Sequence, residues 1–174
     1  EGPGFAMTER VVVTGGAGFI GSHLVQQLVE RGQAVKVIER PGADVAHLPQ
    51  GVEVEFADIR DRPAVERAVR DARRVYHLAA NPNLWVRNRG DFDAVNHRGT
   101  VNVLEAAIDA GAERVLHTST ESILTRANIS EIVDENVEIR ESDAVGPYCL
   151  SKLRAENAAM AMAREGKPVV VANP

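Results

Sequence analysis

The chain has 174 residues, enough for one well-buried domain, with 44% hydrophobic and 26% charged residues, ordinary proportions for a globular protein. Its net charge of −5 excludes the basic surface that non-specific nucleic-acid binding needs. A single cysteine, Cys149, excludes an internal disulfide and fits a reducing cytoplasm, and no apolar run reaches the length of a membrane span or forms a secretory signal pattern.

Glu1 to Ala6 precede Met7 and carry two glycines and a proline; they read as a vector remnant, which leaves 7–174 as the domain. Arg10 to Val13 reads as a buried strand, and it runs into Thr14-Gly15-Gly16-Ala17-Gly18-Phe19-Ile20-Gly21. A helix follows from Gly21 to Arg31, with Ile20, Leu24, Val25 and Leu28 on its apolar stripe and Gly32 as its stop. Ala34 to Glu39 and Val52 to Ala57 read as the second and third strands. Asp61 to Asp71 reads as a helix, with Asp61 as N-cap and Pro63 tolerated in its first turn. Val75 to Ala79 is the fourth strand, and Pro82 to Gly90 a long connection. Asp93 to Ala110 is a long helix stopped by Gly111. Arg114 to Ser119 is the fifth strand, and Glu121 to Gly146 a second long connection of the kind that is usually functional. Val145 to Arg164 is the last helix, ending at Gly166, and Pro168 to Ala172 the sixth strand. Strands and helices that alternate in this way predict an α/β Rossmann fold, a doubly wound parallel sheet of strand order 3-2-1-4-5-6.

The first strand–helix junction points to a dinucleotide. Gly15, Gly18 and Gly21 recur every three residues where a strand turns into a helix. Glycine accepts backbone angles that other residues resist, and its missing side chain lets a pyrophosphate lie against the main chain. The helix that opens there aims its free N–H groups and positive dipole end at that phosphate. Glu39 closes the second strand, where an acid would bond the adenosine ribose hydroxyls. Arg40 beside it could instead meet the extra phosphate of NADP, but the adjacent carboxylate would repel that phosphate, which favours NAD. Tyr148 and Lys152 stand four residues apart on one helical face. A tyrosine has an unperturbed pKa of about 10, and a neighbouring ammonium would lower it towards the working range of a general acid/base. A third partner is expected at the end of the fifth strand, because open α/β sheets bind ligands beyond their carboxyl ends.

The glycine spacing with Thr14 before it, together with the Tyr148-Cys149-Leu150-Ser151-Lys152 segment, resembles the extended short-chain dehydrogenase/reductases, specifically the NAD-dependent epimerase/dehydratase family. The resemblance spans about Glu9 to the end. It implies cofactor contacts from Gly15, Gly18, Phe19, Ile20 and Gly21, from Glu39 and Arg40, and from the adenine-contacting pair Asp58 and Ile59. It further implies contacts from His77-Leu78-Ala79-Ala80, in which Leu78, Ala79 and Ala80 pass the ribose and pyrophosphate while His77 is a packed strand residue. Asn96, in the run Val95 to Leu104, is read as a structural hydrogen-bonder. Thr120 falls at the position of the hydroxyl that holds the substrate oxygen, with Ser119 as the neighbouring alternative, and Tyr148 and Lys152 complete the catalytic set and touch the cofactor. A nucleotide sugar is the implied substrate. Glu121-Ser122 lacks the second acid of 4,6-dehydratases, and Ile123-Leu124-Thr125 replaces an epimerase-type Val-Tyr-Gly. Asn83-Leu84-Trp85 and Gly146-Pro147 look more like dihydroflavonol-reductase-like and hopanoid-associated members. A carbonyl reductase is therefore the alternative, and a non-catalytic nucleotide-binding or scaffold domain the alternative of a different class. The helices of residues 93–110 and 145–164 would form a homodimer interface, with Ala155, Ala158, Ala159 and Met162 suited to close packing. Family members continue into a substrate-binding lobe, so the chain reads as an N-terminal portion. No metal is expected.

Overall fold

The computed structural model describes residues 10–83, 85–125 and 132–174; the proposed vector remnant and Leu84 lie outside them. Six parallel strands stand in the order β3-β2-β1-β4-β5-β6, as predicted. They are β1 (Arg10–Thr14), β2 (Ala34–Glu39), β3 (Glu53–Phe56), β4 (Arg74–His77), β5 (Arg114–Thr118) and β6 (Val169–Ala172). β1 is buried from Val11 to Thr14 and β2 from Val35 to Ile38, because helices or loops cover both faces of these inner strands. β3 lies at the sheet edge, and Glu53 and Phe56 are exposed.

The helices are α1 (Phe19–Glu30), α2 (Arg62–Ala68), α3 (Gly90–Phe92), α4 (Thr100–Asp109) and α5 (Gly146–Arg164). Val25 and Leu28 of α1 pack on Val11, Val13, Val35 and Val37. On the opposite face Val65 of α2, Val103 and Leu104 of α4 and Ala159 of α5 pack on Val12, Val75, Val115 and Val169. Ala155 and Ala159 are fully buried within this chain, so this part of the anticipated dimer stripe serves the chain's own core.

The element boundaries differ from expectation in ways that matter for the site. α1 begins two residues early, because Gly18 caps it. α2 ends at Ala68 rather than Asp71. β4 ends at His77 rather than Ala79, and Leu78 and Ala79, tied to Thr14 through their N–H groups, line a cleft. The long helix expected from Asp93 to Ala110 is α3, then a π-helical stretch from Asp93 to Gly99, then α4. A wide turn of this kind is frequent at functional sites. Ile59 Cδ1 lies 2.8 Å from where a Cβ on Gly99 would sit, so any larger residue there would have to displace the Ile59 side chain.

Candidate cofactor and substrate site

The cleft opens at the carboxyl ends of β1 and β4, where the order of chain connection reverses along the sheet and open α/β sheets bind their ligands. Its volume is about 820 Å³. Twelve of the predicted cofactor residues line it: Gly15, Gly18, Phe19, Ile20 and Gly21 at the glycine turn, Glu39 and Arg40 after β2, Asp58 and Ile59 after β3, and Leu78, Ala79 and Ala80 after β4. Thr118 closes the far end.

The glycine turn is held by close backbone approach. Gly15 has φ +69, and a Cβ on it would lie 2.7 Å from Ala79 N. A Cβ on Gly21 would overlap the Gly15 carbonyl oxygen and lie 2.8 Å from Gly16 Cα. No side chain caps α1 and its first turn holds no acid, so its N–H groups and dipole end remain available to an anion. The Ala17 peptide is gripped on both sides. Its N–H donates to Glu39 Oε1 at 2.9 Å, and its carbonyl accepts from His47 Nε2 at 3.0 Å. Bare glycine backbone, an open helix terminus and an acid at the ribose position fit a dinucleotide.

Asp58 lines the cleft but is already engaged. Arg60 Nη2 lies 2.6 Å from Asp58 Oδ2, and this bonding holds the carboxyl below the usual range. Arg60 itself lines the cleft, as do Asn81, Pro82 and Asn83. Sequence reading missed these four as site residues. The only available signals were the long Pro82 to Gly90 connection and the Asp-x-Arg spacing.

Thr120, Tyr148 and Lys152 stand just outside the cleft. Thr120 caps a 3₁₀ turn, Glu121–Ile123; its hydroxyl lies 3.0 Å from Glu121 Oε2, and its backbone carbonyl accepts from Asn173 Nδ2 at 3.3 Å. Thr120 lies near enough to Tyr148 to bear on its phenol: burial pushes the phenol up, and Thr120 pulls it partly back. Phe92 packs edge-on against the Tyr148 ring at 6.2 Å. The Ser119 hydroxyl is buried without a partner among the described residues, whereas Thr120 bears on the Tyr148 phenol.

Lys152 shares α5 with Tyr148, and its ammonium is engaged with the backbone of β5. The charges bearing on Tyr148 are those of Cys149 and Glu121, and both raise it. The Lys152 ammonium donates to the Thr118 carbonyl at 2.7 Å, behind the end wall of the cleft. Burial lowers its pKa to about 8, against a smaller opposing pull from Glu156.

Beneath Lys152 the His77 and His117 rings stack at 5.6 Å. Burial pulls His77 down to about 3, with Lys152 adding to the effect, and burial pulls His117 down likewise. An unfolded chain takes up these protons from the ordinary imidazole pKa of 6.5, while folded His77 resists until about 3. Stability is therefore full above pH 6.5 and is lost as pH falls towards 3. Chemical denaturation at stepped pH should show that loss, and His117→Leu should flatten its slope; an unchanged slope would refute this origin.

Among the described residues, no cluster of histidine, cysteine or acidic side chains could hold a metal, and no helix is long and apolar enough to cross a membrane. The chain matches the NAD dependent epimerase/dehydratase family over residues 11–174. It is 32% identical to human sterol-4-alpha-carboxylate 3-dehydrogenase, decarboxylating, over 83% of the chain and 35% of that protein. It is 30% identical to the UDP-N-acetyl-alpha-D-glucosaminuronate decarboxylase of Bacillus cytotoxicus, over 95% of the chain and 53% of that protein. Among solved structures it superposes on the Thermus thermophilus UDP-glucose 4-epimerase in complex with NAD, with a TM-score of 0.82 and 33% identity, over 94% of the chain and 54% of the epimerase. The chain thus spans about half, or less, of the length of these relatives. With the glycine cleft, the strand order and the family match in agreement, the chain belongs to the NAD-dependent epimerase/dehydratase family.

Proposed function

We propose that the protein carrying this chain is an NAD-dependent oxidoreductase that oxidises a nucleotide sugar transiently and restores its own cofactor, as an epimerase, dehydratase or decarboxylase does. The observation that carries this reading is the dinucleotide cleft walled by Thr118, with buried Lys152 bonded to the Thr118 carbonyl and Thr120 close enough to Tyr148 to bear on its phenol. NAD, when bound, supplies the hydride acceptor. Tyr148 exchanges a proton with the substrate oxygen, and Thr120 orients that oxygen and donates to it as charge develops. Lys152 adds a positive charge at the end wall, and its role at the nicotinamide ribose is part of this proposal. The nucleotide-sugar class draws support from neighbours such as the Thermotoga maritima UDP-glucose 4-epimerase with UDP-glucose, which is 30% identical.

A carbonyl reductase is the second reading. A Synechocystis sp. protein described only provisionally as a dihydroflavonol 4-reductase is 30% identical over 97% of the chain. A scaffold has no need of paired hydroxyls at the cleft end. Isothermal titration with NAD and NADP, followed by turnover with UDP-sugars, tests the proposal. Binding of NAD with sugar conversion and no net NADH is the expected result; stoichiometric cofactor consumption would move the assignment to a reductase, and absence of dinucleotide binding would overturn both. Glu39→Ala should weaken NAD by about tenfold, the loss of a charged hydrogen bond to the ribose, and should narrow its advantage over NADP because Arg40 is then unopposed. Unchanged NAD affinity would remove Glu39 from the site.

A further inference from the structure

The polar side chains under the cleft form one continuous hydrogen-bonded chain whose direction can be read. The Ala79 N–H donates to Thr14 Oγ1 at 3.2 Å, and Thr14 Oγ1 lies 2.7 Å from His77 Nδ1. His77 Nε2 lies 2.8 Å from Thr100 Oγ1, and the Thr100 hydroxyl donates to the Asn96 carbonyl at 2.7 Å. Thr14, His77, Asn96 and Thr100 are each at most 1% exposed, so water does not complete their valences.

Both ends of this chain fix the proton on the imidazole. Thr100 has one hydroxyl proton and spends it on the Asn96 carbonyl, so it must accept from His77 Nε2–H. Thr14 Oγ1 also accepts from the Ala79 N–H, and among the described residues Nδ1 is the acceptor that its own proton reaches, so Thr14 donates to Nδ1. The opposite tautomer would leave the Thr14 proton without an acceptor and take the Thr100 proton from Asn96. An imidazolium would orphan the same Thr14 proton. It would also set a second buried positive charge near Lys152, with His117 stacked against it and no acid among the charges acting on the ring.

The two ends of the chain lie where the proposed chemistry needs rigidity. At one end, Ala79 is the residue against which Gly15 packs, directly under the glycine turn. At the other, Asn96 Oδ1 accepts from Asn81 N–H at 2.7 Å, and Asn96 Nδ2 donates to the Asn81 carbonyl and to Ser151 Oγ, both at 3.1 Å. The Ser151 hydroxyl in turn donates to the Tyr148 carbonyl at 2.7 Å. Asn81 lines the cleft, and Tyr148 carries the phenol.

We propose that His77 is a positioning residue, a neutral imidazole fixed as its Nε2–H tautomer, that ties the floor of the dinucleotide cleft to the helix bearing Tyr148. It touches neither cofactor nor substrate. It sets the spacing between the Thr14–Ala79 contact and the π-helical turn, so that the cleft and the tyrosine form one rigid frame. The functional consequence rests on the cofactor reading above; the tautomer does not.

Nitrogen NMR of the chain with isotope-labelled histidine reads the tautomer directly. His77 should show a protonated Nε2 and a bare Nδ1, unchanged across the range of about pH 5 to 8 in which an ordinary histidine titrates. Thr100→Val removes the Nε2 acceptor. It should disturb that signature and weaken NAD binding by about fivefold to tenfold, the scale of one buried hydrogen bond, while Thr100→Ser restores both. A merely structural threonine would give a loss of melting temperature with the tautomer unmoved. A protonated Nδ1 in the wild type, a His77 titration near neutrality, or unchanged NAD affinity in Thr100→Val would each overturn the proposal. If Thr100→Val does not fold, Thr14→Val reads the same two quantities from the other end. A wild type that shows the Nε2–H signature but binds no NAD would refute the cofactor reading and leave the tautomer assignment standing.

Discussion

Replacing Tyr148 by Phe is expected to lower turnover of a nucleotide sugar by about a hundredfold to ten-thousandfold, the range lost with a positioned acid/base group, and to leave NAD affinity within about twofold of the wild type. The change removes one oxygen. The ring, its edge contact with Phe92 and the helix around it stay, because Phe fills the same volume. Tyr148 does not line the dinucleotide cleft, so cofactor binding has no direct reason to change. The raised phenol pKa adds a directional expectation: the group is protonated near neutrality and acts first as a donor to a substrate oxygen. Steady-state rates on both proteins, with calorimetry for NAD, separate the possibilities. Undiminished turnover would end the assignment of Tyr148, and lost NAD binding with normal residual chemistry would recast it as a binding residue.

Gly21→Ala should abolish tight NAD binding and destabilise the fold, and Gly32→Ala should do neither to the same degree. At Gly21 every atom that an added Cβ meets is backbone: the Gly15 carbonyl oxygen, Gly16 Cα and the Gly15 carbonyl carbon. No side chain can turn aside, so α1 must lift from the turn, at a cost on the order of 1–3 kcal/mol or more for overpacking. The same displacement takes the helix N–H groups off the phosphate position, and affinity should fall by on the order of a hundredfold. Gly32 also has a positive φ, but an added Cβ there meets nothing within 4 Å. Its substitution carries only the left-handed backbone cost of about 1–2 kcal/mol and should leave NAD binding intact. Thermal melts and calorimetry on the pair measure both. Wild-type NAD affinity in Gly21→Ala would show that the close approach at this turn does not govern the site.

The features legible in the sequence were those written in contiguous residues. The valine-rich run of β1, the glycines at three-residue spacing and the glycine that stops each of three helices are local; the alternation of strands and helices implied the strand order, and the family resemblance supplied Asp58, Ile59 and Leu78 to Ala80 among the twelve cleft residues. What escaped was written across long separations. Thr14 and His77 are 63 positions apart, and Asn96 and Ser151 are 55 apart, so neither bond leaves a mark on local periodicity. The π-helical stretch from Asp93 to Gly99 escaped because its apolar spacing resembles that of an ordinary helix. Lys152 was placed on α5 with Tyr148, but its bond to the Thr118 carbonyl of β5 was not foreseen, since helical spacing says nothing about a neighbouring strand. Asp58 was found, but the arginine two residues on that occupies its carboxylate was not.

The bond from the Ala17 N–H to Glu39 has a bearing on how this site can diverge. One carboxylate both shapes the phosphate-binding turn and stands where a ribose would be read, so the two properties are inherited together. A lineage, or an engineer, that exchanges Glu39 to admit a phosphorylated ribose also releases the turn. The His47 bond to the Ala17 carbonyl is already made and cannot replace the lost acceptor, so the Ala17 N–H needs a new one. On the cofactor reading proposed above, a change of cofactor is therefore coupled to the shape of the glycine turn.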